Sequence, residues 1–187
     1  YFDLGNNFPE PSPQGDLKIT LIHSTLEKMN PKVVLVGPNE WQNGLQWLDS
    51  KIPYLLSNQS TKLNFLNSKI IHYKDRKILV LGYLSPSLVY QNKNDPSVIS
   101  PVNSKLLSDW KKNFQKNTAQ FRILLFRGNV EELALFDKSG MFDLIVSGSN
   151  NDDELNQVLE IKVGKKYQPM IPTKGQGIIT GILDENG

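Results

Sequence analysis

The chain has 187 residues, 21 Lys+Arg against 19 Asp+Glu, a formal net charge of +2 and no Cys. That length suits one domain able to bury a core without staples, and the lack of thiols removes disulfide scaffolds, thiolate zinc sites, iron–sulfur centres and cysteine nucleophiles together. With 39% apolar and 21% charged residues, strongly disordered and fibrous classes are excluded, and the small net charge gives no nucleic-acid or membrane-surface footprint.

Short apolar runs alternate with amphipathic segments along the chain, which reads as α/β. Tyr1–Gly5 reads as the end of a buried strand, entering a loop that holds Pro9, Pro11, Pro13 and Gly15. Asp16 is the expected N-cap of a helix whose Leu17, Leu21, Leu26 and Met29 recur at helical spacing, with Asn30-Pro31 as its stop. Val33-Val34-Leu35-Val36 is a continuous apolar run of the kind buried on both faces of a parallel sheet. A short helix over 44–50, with Leu45 and Leu48 inward, and a strand over 54–58 follow.

Residues 69–74 and 77–84 flank Asp75-Arg76 and read as a hairpin whose second strand is buried. The stretch 85–104 is the longest loop candidate. A helix over 105–116, a strand over 122–126, a helix over 130–138 and a strand over 143–148 continue the alternation. The last third ends in three strand-like runs, 158–163, 168–173 and 178–184, joined by turns and therefore expected to be antiparallel. No internal linker or repeat divides the chain, so residues 1–187 are read as a single domain.

Three strands end in polar or Gly-containing loops: Gly5-Asn6-Asn7, Gly37-Pro38-Asn39-Glu40 and Gly148-Ser149-Asn150-Asn151. In an open α/β sheet such loops gather at the carboxyl edge, where ligands bind. The alternative is that Asn and Gly simply make the turns there.

The order of these segments resembles a calcineurin-like metallophosphoesterase domain of the 5′-nucleotidase and UDP-sugar hydrolase type. Tyr1–Asn6 is similar to the family's apolar strand ending in Gly-Asp. The helix ending near Met29, the run Val33–Val36 and Gly37-Pro38-Asn39-Glu40 resemble its helix, strand and Gly-Asn-His-Glu loop. Gly44, Leu48 and Ile52–Asn58 follow like its G…L…P-L-x-x-N stretch. Asp143–Gly148 with Ser149-Asn150-Asn151 is similar to the strand that ends in Gly-His-x-His, and Ile171–Gly187 to the closing strands. The resemblance implies two packed mixed β-sheets flanked by helices, an αββα sandwich. It puts the family's first motif, Asp-x-His, ahead of Tyr1 and leaves the family's C-terminal nucleotide-specificity domain without a counterpart.

The resemblance also implies what is altered. Family members hold two cations that polarise a phosphoryl group and acidify a bound water. Here the bridging carboxylate corresponds to Asn6, the ligand Asn to Pro38, the catalytic His to Asn39, a ligand His to Arg127, and the two His of Gly-His-x-His to Ser149 and Asn151. Glu40 alone is retained, in a position that orients the loop. The two His of the chain, His23 and His72, lie away from every motif position. The expectation is a degenerate, metal-free and cofactor-free phosphoesterase domain, leaning away from enzyme activity. It would act as a binding or structural module of an exported protein: periplasmic, lipid-anchored or cell-surface.

The partner expected is another protein or a small anionic ligand, not a nucleic acid, and no run of residues is apolar enough to span a membrane. Arg127, Trp41 and Asn150 are the ligand-binding candidates. Arg127 could hold an anion at the old metal position or pair with Glu131 or Glu132, and Trp41 is placed to wall the vestigial pocket. Asp152-Asp153-Glu154 reads as the charged first turn of a helix, and Asn58-Gln59-Ser60 fits a glycosylation pattern. Two other readings stay open. One is a hydrolase with a site rebuilt from Asn6, Asn39, Glu40, Arg127 and Asp152. The other is an unrelated α/β ligand-binding domain, which would have one central parallel sheet.

Overall fold

The computed structural model describes residues 1–49, 51–60, 63–90 and 98–148. Phe2–Asp3 (β1), Val33–Leu35 (β2) and Tyr54–Leu55 (β3) form a parallel sheet in that order, with Phe2 opposite Val33 and Val34 opposite Tyr54. A second sheet takes the order β4-β5-β6-β7 from Lys69–Tyr73, Arg76–Leu84, Phe121–Arg127 and Leu144–Ser147. In it β4 and β5 form the antiparallel hairpin, while β5, β6 and β7 run parallel. The second sheet is mixed; the first is parallel throughout its described strands.

Alternation along each strand decides which layer a side chain joins. Val33 and Leu35 meet Leu55, Val80, Ile123 and Leu125 in a core between the two sheets. Val34 and Val36 point the other way, packing with Leu26 of the helix Gly15–Met29 (α1). On the far side, Leu79, Leu81, Tyr83, Leu124 and Phe126 pack under Ser104–Lys116 (α3) and Val130–Ser139 (α4) through Trp110, Phe114 and Phe136. The layers are helix, sheet, sheet, helix, as the resemblance implied. A single central sheet is not what forms.

The two sheets approach closely because β5 offers a glycine at their contact. A Cβ on Gly82 would lie 2.7 Å from Leu35 Cδ1 and 3.1 Å from Leu55 Cγ. A side chain there would force the Leu35 and Leu55 side chains of the facing sheet to shift.

Several local expectations need correction. The buried residues of α1 are Gly15, Ile19 and Leu26, whereas Leu17, Leu21 and Met29 are 80%, 67% and 53% exposed. The helix carries two apolar stripes, and Ile19 and Leu26 at i and i+7 won the core. Gln14, not Asp16, stands at its N-cap, and Asn30 closes it in the left-handed conformation. The Gly37–Glu40 loop is instead the entry to a short helix, Pro38–Asn43 (α2), with Pro at the favoured first position. The helix expected over 44–50 is one 3₁₀ turn, Leu45–Trp47. The strand expected over 54–58 stops at Leu55, where the backbone leaves β2: the Leu56 N–H donates to Leu66 O and the Ser57 N–H to Gly82 O. Ser57 Oγ accepts from the Gly82 N–H, and Asn58 Nδ2 donates to Leu84 O and Ser100 O. The three terminal strands and Asp152-Asp153-Glu154 lie outside the described residues.

Candidate functional site

The carboxyl ends of β1, β2 and β6 meet at one edge of the sandwich, and Glu40 organises it. Its side chain is fully buried. Oε2 accepts from the N–H groups of Asn6 at 2.8 Å and Gly37 at 3.0 Å, and Oε1 from those of Asn7 at 2.6 Å and Phe8 at 3.3 Å. One carboxylate thus satisfies four backbone donors from two loops that would otherwise be orphaned. Burial pushes the Glu40 carboxyl up, opposed by those N–H donors. With both oxygens occupied and no exposed surface, Glu40 fixes the loops and has no oxygen facing a water it could activate.

Asn6 and Asn39 are also committed to the loops. Asn6, in the left-handed region at φ 65°, accepts from the Asn39 N–H through Oδ1 at 3.0 Å. Asn39 Nδ2 donates to Phe8 O at 2.8 Å. Phe8, 2% exposed, stacks edge-on against His23 of α1 with centroids 5.2 Å apart, so the loop is anchored to the outer helix as well.

Arg127 is the last residue of β6 and shares its face with Ile123 and Leu125, so it points between the sheets. It is 7% exposed. Nε donates to Leu4 O at 2.8 Å and Nη2 to Gly5 O at 3.1 Å, joining the end of β6 to the end of β1. Desolvation lowers its pKa, while Glu40 and Asp3 raise it; a guanidinium stays protonated under any such shift. The chain folds this way because Gly148, after β7, leaves room. A Cβ there would sit 2.9 Å from Arg127 Cζ. Glu132, one of the two acids considered for pairing with Arg127, accepts instead from Tyr83 Oη at 2.6 Å, Ser85 Oγ at 2.9 Å and the Asn129 N–H at 3.2 Å.

Sequence reasoning missed Asp3. Its Oδ1 accepts from the Gly5 N–H at 2.7 Å and Asn7 Nδ2 at 2.8 Å, and its charge adds to that of Glu40 around the guanidinium. The signal available was an acid two residues before Gly5, at the end of an apolar run. Trp41 does not line the cluster of Asn6, Glu40 and Arg127; it packs with the α1-side core and meets Tyr90 edge-on at 5.9 Å. Asn58 has no exposed surface, so the glycosylation pattern there is unusable. Ser149, Asn150 and Asn151 lie outside the described residues.

Of the described residues, the four that the resemblance sets at metal-ligand or catalytic positions, Asn6, Pro38, Asn39 and Arg127, do not make a ligand set for divalent cations. Two are amides already bonded to backbone, one is a proline ring, and the fourth is a buried permanent cation that would repel a metal. Among the described residues no three His, Cys, Asp or Glu side chains converge as a metal cluster.

No family model matches the chain, and no curated protein matches it. Solved structures do. A 5′-nucleotidase precursor from Thermus thermophilus superposes with a TM-score of 0.60 at 12% identity, over 79% of this chain and 31% of that one. A calcineurin-like phosphoesterase from Bacillus subtilis matches with a TM-score of 0.60 at 16% identity, over 79% and 57%. The NAD nucleotidase of Haemophilus influenzae matches at 0.55 and 15%, over 73% and 26%. The fold is therefore that of 5′-nucleotidase-type, calcineurin-like metallophosphoesterase domains. The chain spans between 26% and 57% of the length of these three proteins.

Proposed function

We propose that the chain is a non-catalytic phosphoesterase-like domain, in which a guanidinium takes the place of the metal centre and the scaffold serves as a binding or structural module of an exported protein. The observation that carries this reading is Arg127, buried between the sheets and bonded to Leu4 O and Gly5 O at the edge where a two-metal centre would stand. A fixed cation balances Asp3 and Glu40 as metal ions would, yet it has no open coordination position and cannot lower the pKa of a water. Glu40 is not free to act as a general base, since both of its oxygens accept backbone N–H groups. That counts against a hydrolase rebuilt around Glu40.

Export rests on the exported character of the resembled enzymes. Among the described residues no helix is long and apolar enough to cross a membrane. The test is hydrolysis of a generic phosphate ester with Mn²⁺ or Zn²⁺ supplied, alongside elemental analysis of the purified protein. The expected outcome is no turnover above buffer and no stoichiometric transition metal. Turnover that a chelator abolishes would overturn the reading.

A further inference from the structure

At the opposite end of β6 from Arg127, a cavity of about 540 Å³ opens between α3 and the C-terminal end of α4. It is unrelated to the loops around Glu40. One wall is a stripe of α3 residues, Ser108, Lys111 and Gln115, at i, i+3 and i+7, all of them exposed. The floor is apolar, made by Phe114 and Met141, which are 5% and 9% exposed. The far wall is Arg122, the second residue of β6.

Arg122 is held in an unusual state for a cation. Its backbone is fixed by Asp143, whose Oδ2 accepts the Arg122 N–H at 2.7 Å and whose own N–H donates to Arg122 O at 2.9 Å. Its guanidinium lies over the Phe114 ring, 5.2 Å from the centroid. Its Nε is buried and has no hydrogen-bond partner. That atom is closed to solvent and out of reach of anything in the cavity, so Arg122 lines the cavity through the rest of its side chain. Lys111 lines the same space, giving two cationic residues, three serines, an amide and an aromatic floor in an open depression large enough for a small molecule.

We infer that this cavity binds a small organic anion, a carboxylate or phosphoryl group carried on a short apolar body. The anion accepts from the Arg122 guanidinium and attracts Lys111, and the apolar body covers Phe114 and Met141. A planar guanidinium already stacked on a ring is pre-organised for this, because little side-chain freedom is lost when the acceptor arrives.

The experiment is calorimetric titration of the whole chain with three probes: phenyl phosphate, benzoate and inorganic phosphate. Phenyl phosphate or benzoate is expected to bind, and inorganic phosphate distinctly more weakly, since it has nothing to lay on the floor. Tighter binding of phenyl phosphate assigns a phosphoryl ligand and tighter binding of benzoate a carboxylate; either supports the site. Arg122→Gln should weaken the better probe about tenfold or more. Ser108→Trp, made from an exposed helix position, should block binding while leaving the thermal midpoint unchanged. Absence of heat with both organic probes, equal affinity for inorganic phosphate, or unchanged affinity in a folded Arg122→Gln or Ser108→Trp chain would overturn the inference.

Discussion

Glu40 and His23 show how much a single side chain decides at the site. Four N–H groups converge on Glu40, so Glu40→Gln replaces one accepting oxygen with a donor that faces donors. Leaving buried N–H groups unpaired costs about 1–3 kcal/mol each, so a loss of about 2–4 kcal/mol in urea-unfolding free energy is expected. A Glu40 that worked as a general base would give the reverse, intact stability with lost turnover. His23 is lowered below its ordinary value of 6.5 by desolvation, against a raising contribution from Asp49. The native state therefore prefers neutral imidazole, and the unfolded chain takes up the proton first as pH falls. Stability held above pH 6.5 should decline as pH drops from there toward the lowered native value, and His23→Phe should remove that part of the decline in denaturation midpoints measured at pH 8 and pH 5.5. Glu40 was legible because a single acid follows Gly-Pro-Asn. Asp3 was not, since its role depends on a strand end 124 residues away in sequence, at Arg127, whose pKa its charge raises.

At the scale of elements, the sandwich is held by what lies between its sheets. Gly82 and Arg127 mark the two kinds of contact. Gly82→Ala inserts a methyl group 2.7 Å from Leu35 Cδ1, and overpacking of this kind costs about 1–3 kcal/mol. A fall in thermal midpoint with unchanged secondary structure is the expected signature. Arg127→Met removes the cation from beside Glu40 and Asp3 and both bonds to the end of β1. Breaking a buried charge arrangement from one side costs about 3–5 kcal/mol, so urea unfolding should show a loss in that range. A loss below about 1 kcal/mol would mean that Arg127 is dispensable to the scaffold. The strands themselves were readable, since Val33–Val36 and residues 77–84 are apolar runs with no competing pattern. The facing stripe of α1 was not, because Leu17 and Leu21 are as apolar as Ile19 and Leu26, and only the tertiary packing chooses between them. The helix Pro38–Asn43 was missed for a similar reason: Pro and Asn at its start are also turn residues.

For the whole molecule, the alternation indicated α/β and the family resemblance implied two sheets between helices, and the fold agrees over the described residues. What alternation could not supply is the partition of strands. Nothing in the local sequence between Leu55 and Lys69 states that the chain leaves one sheet and begins another; that follows from Leu35 and Leu55 packing against the Gly82 gap. The central claim, that a guanidinium and loop-bound amides have replaced a metal centre on a phosphoesterase scaffold, is tested most directly by titrating Mn²⁺ into metal-free protein and following binding by calorimetry. The account predicts no stoichiometric site and no rise in thermal midpoint. One or two equivalents bound at micromolar affinity, with a stabilisation that grows with Mn²⁺ concentration, would contradict it.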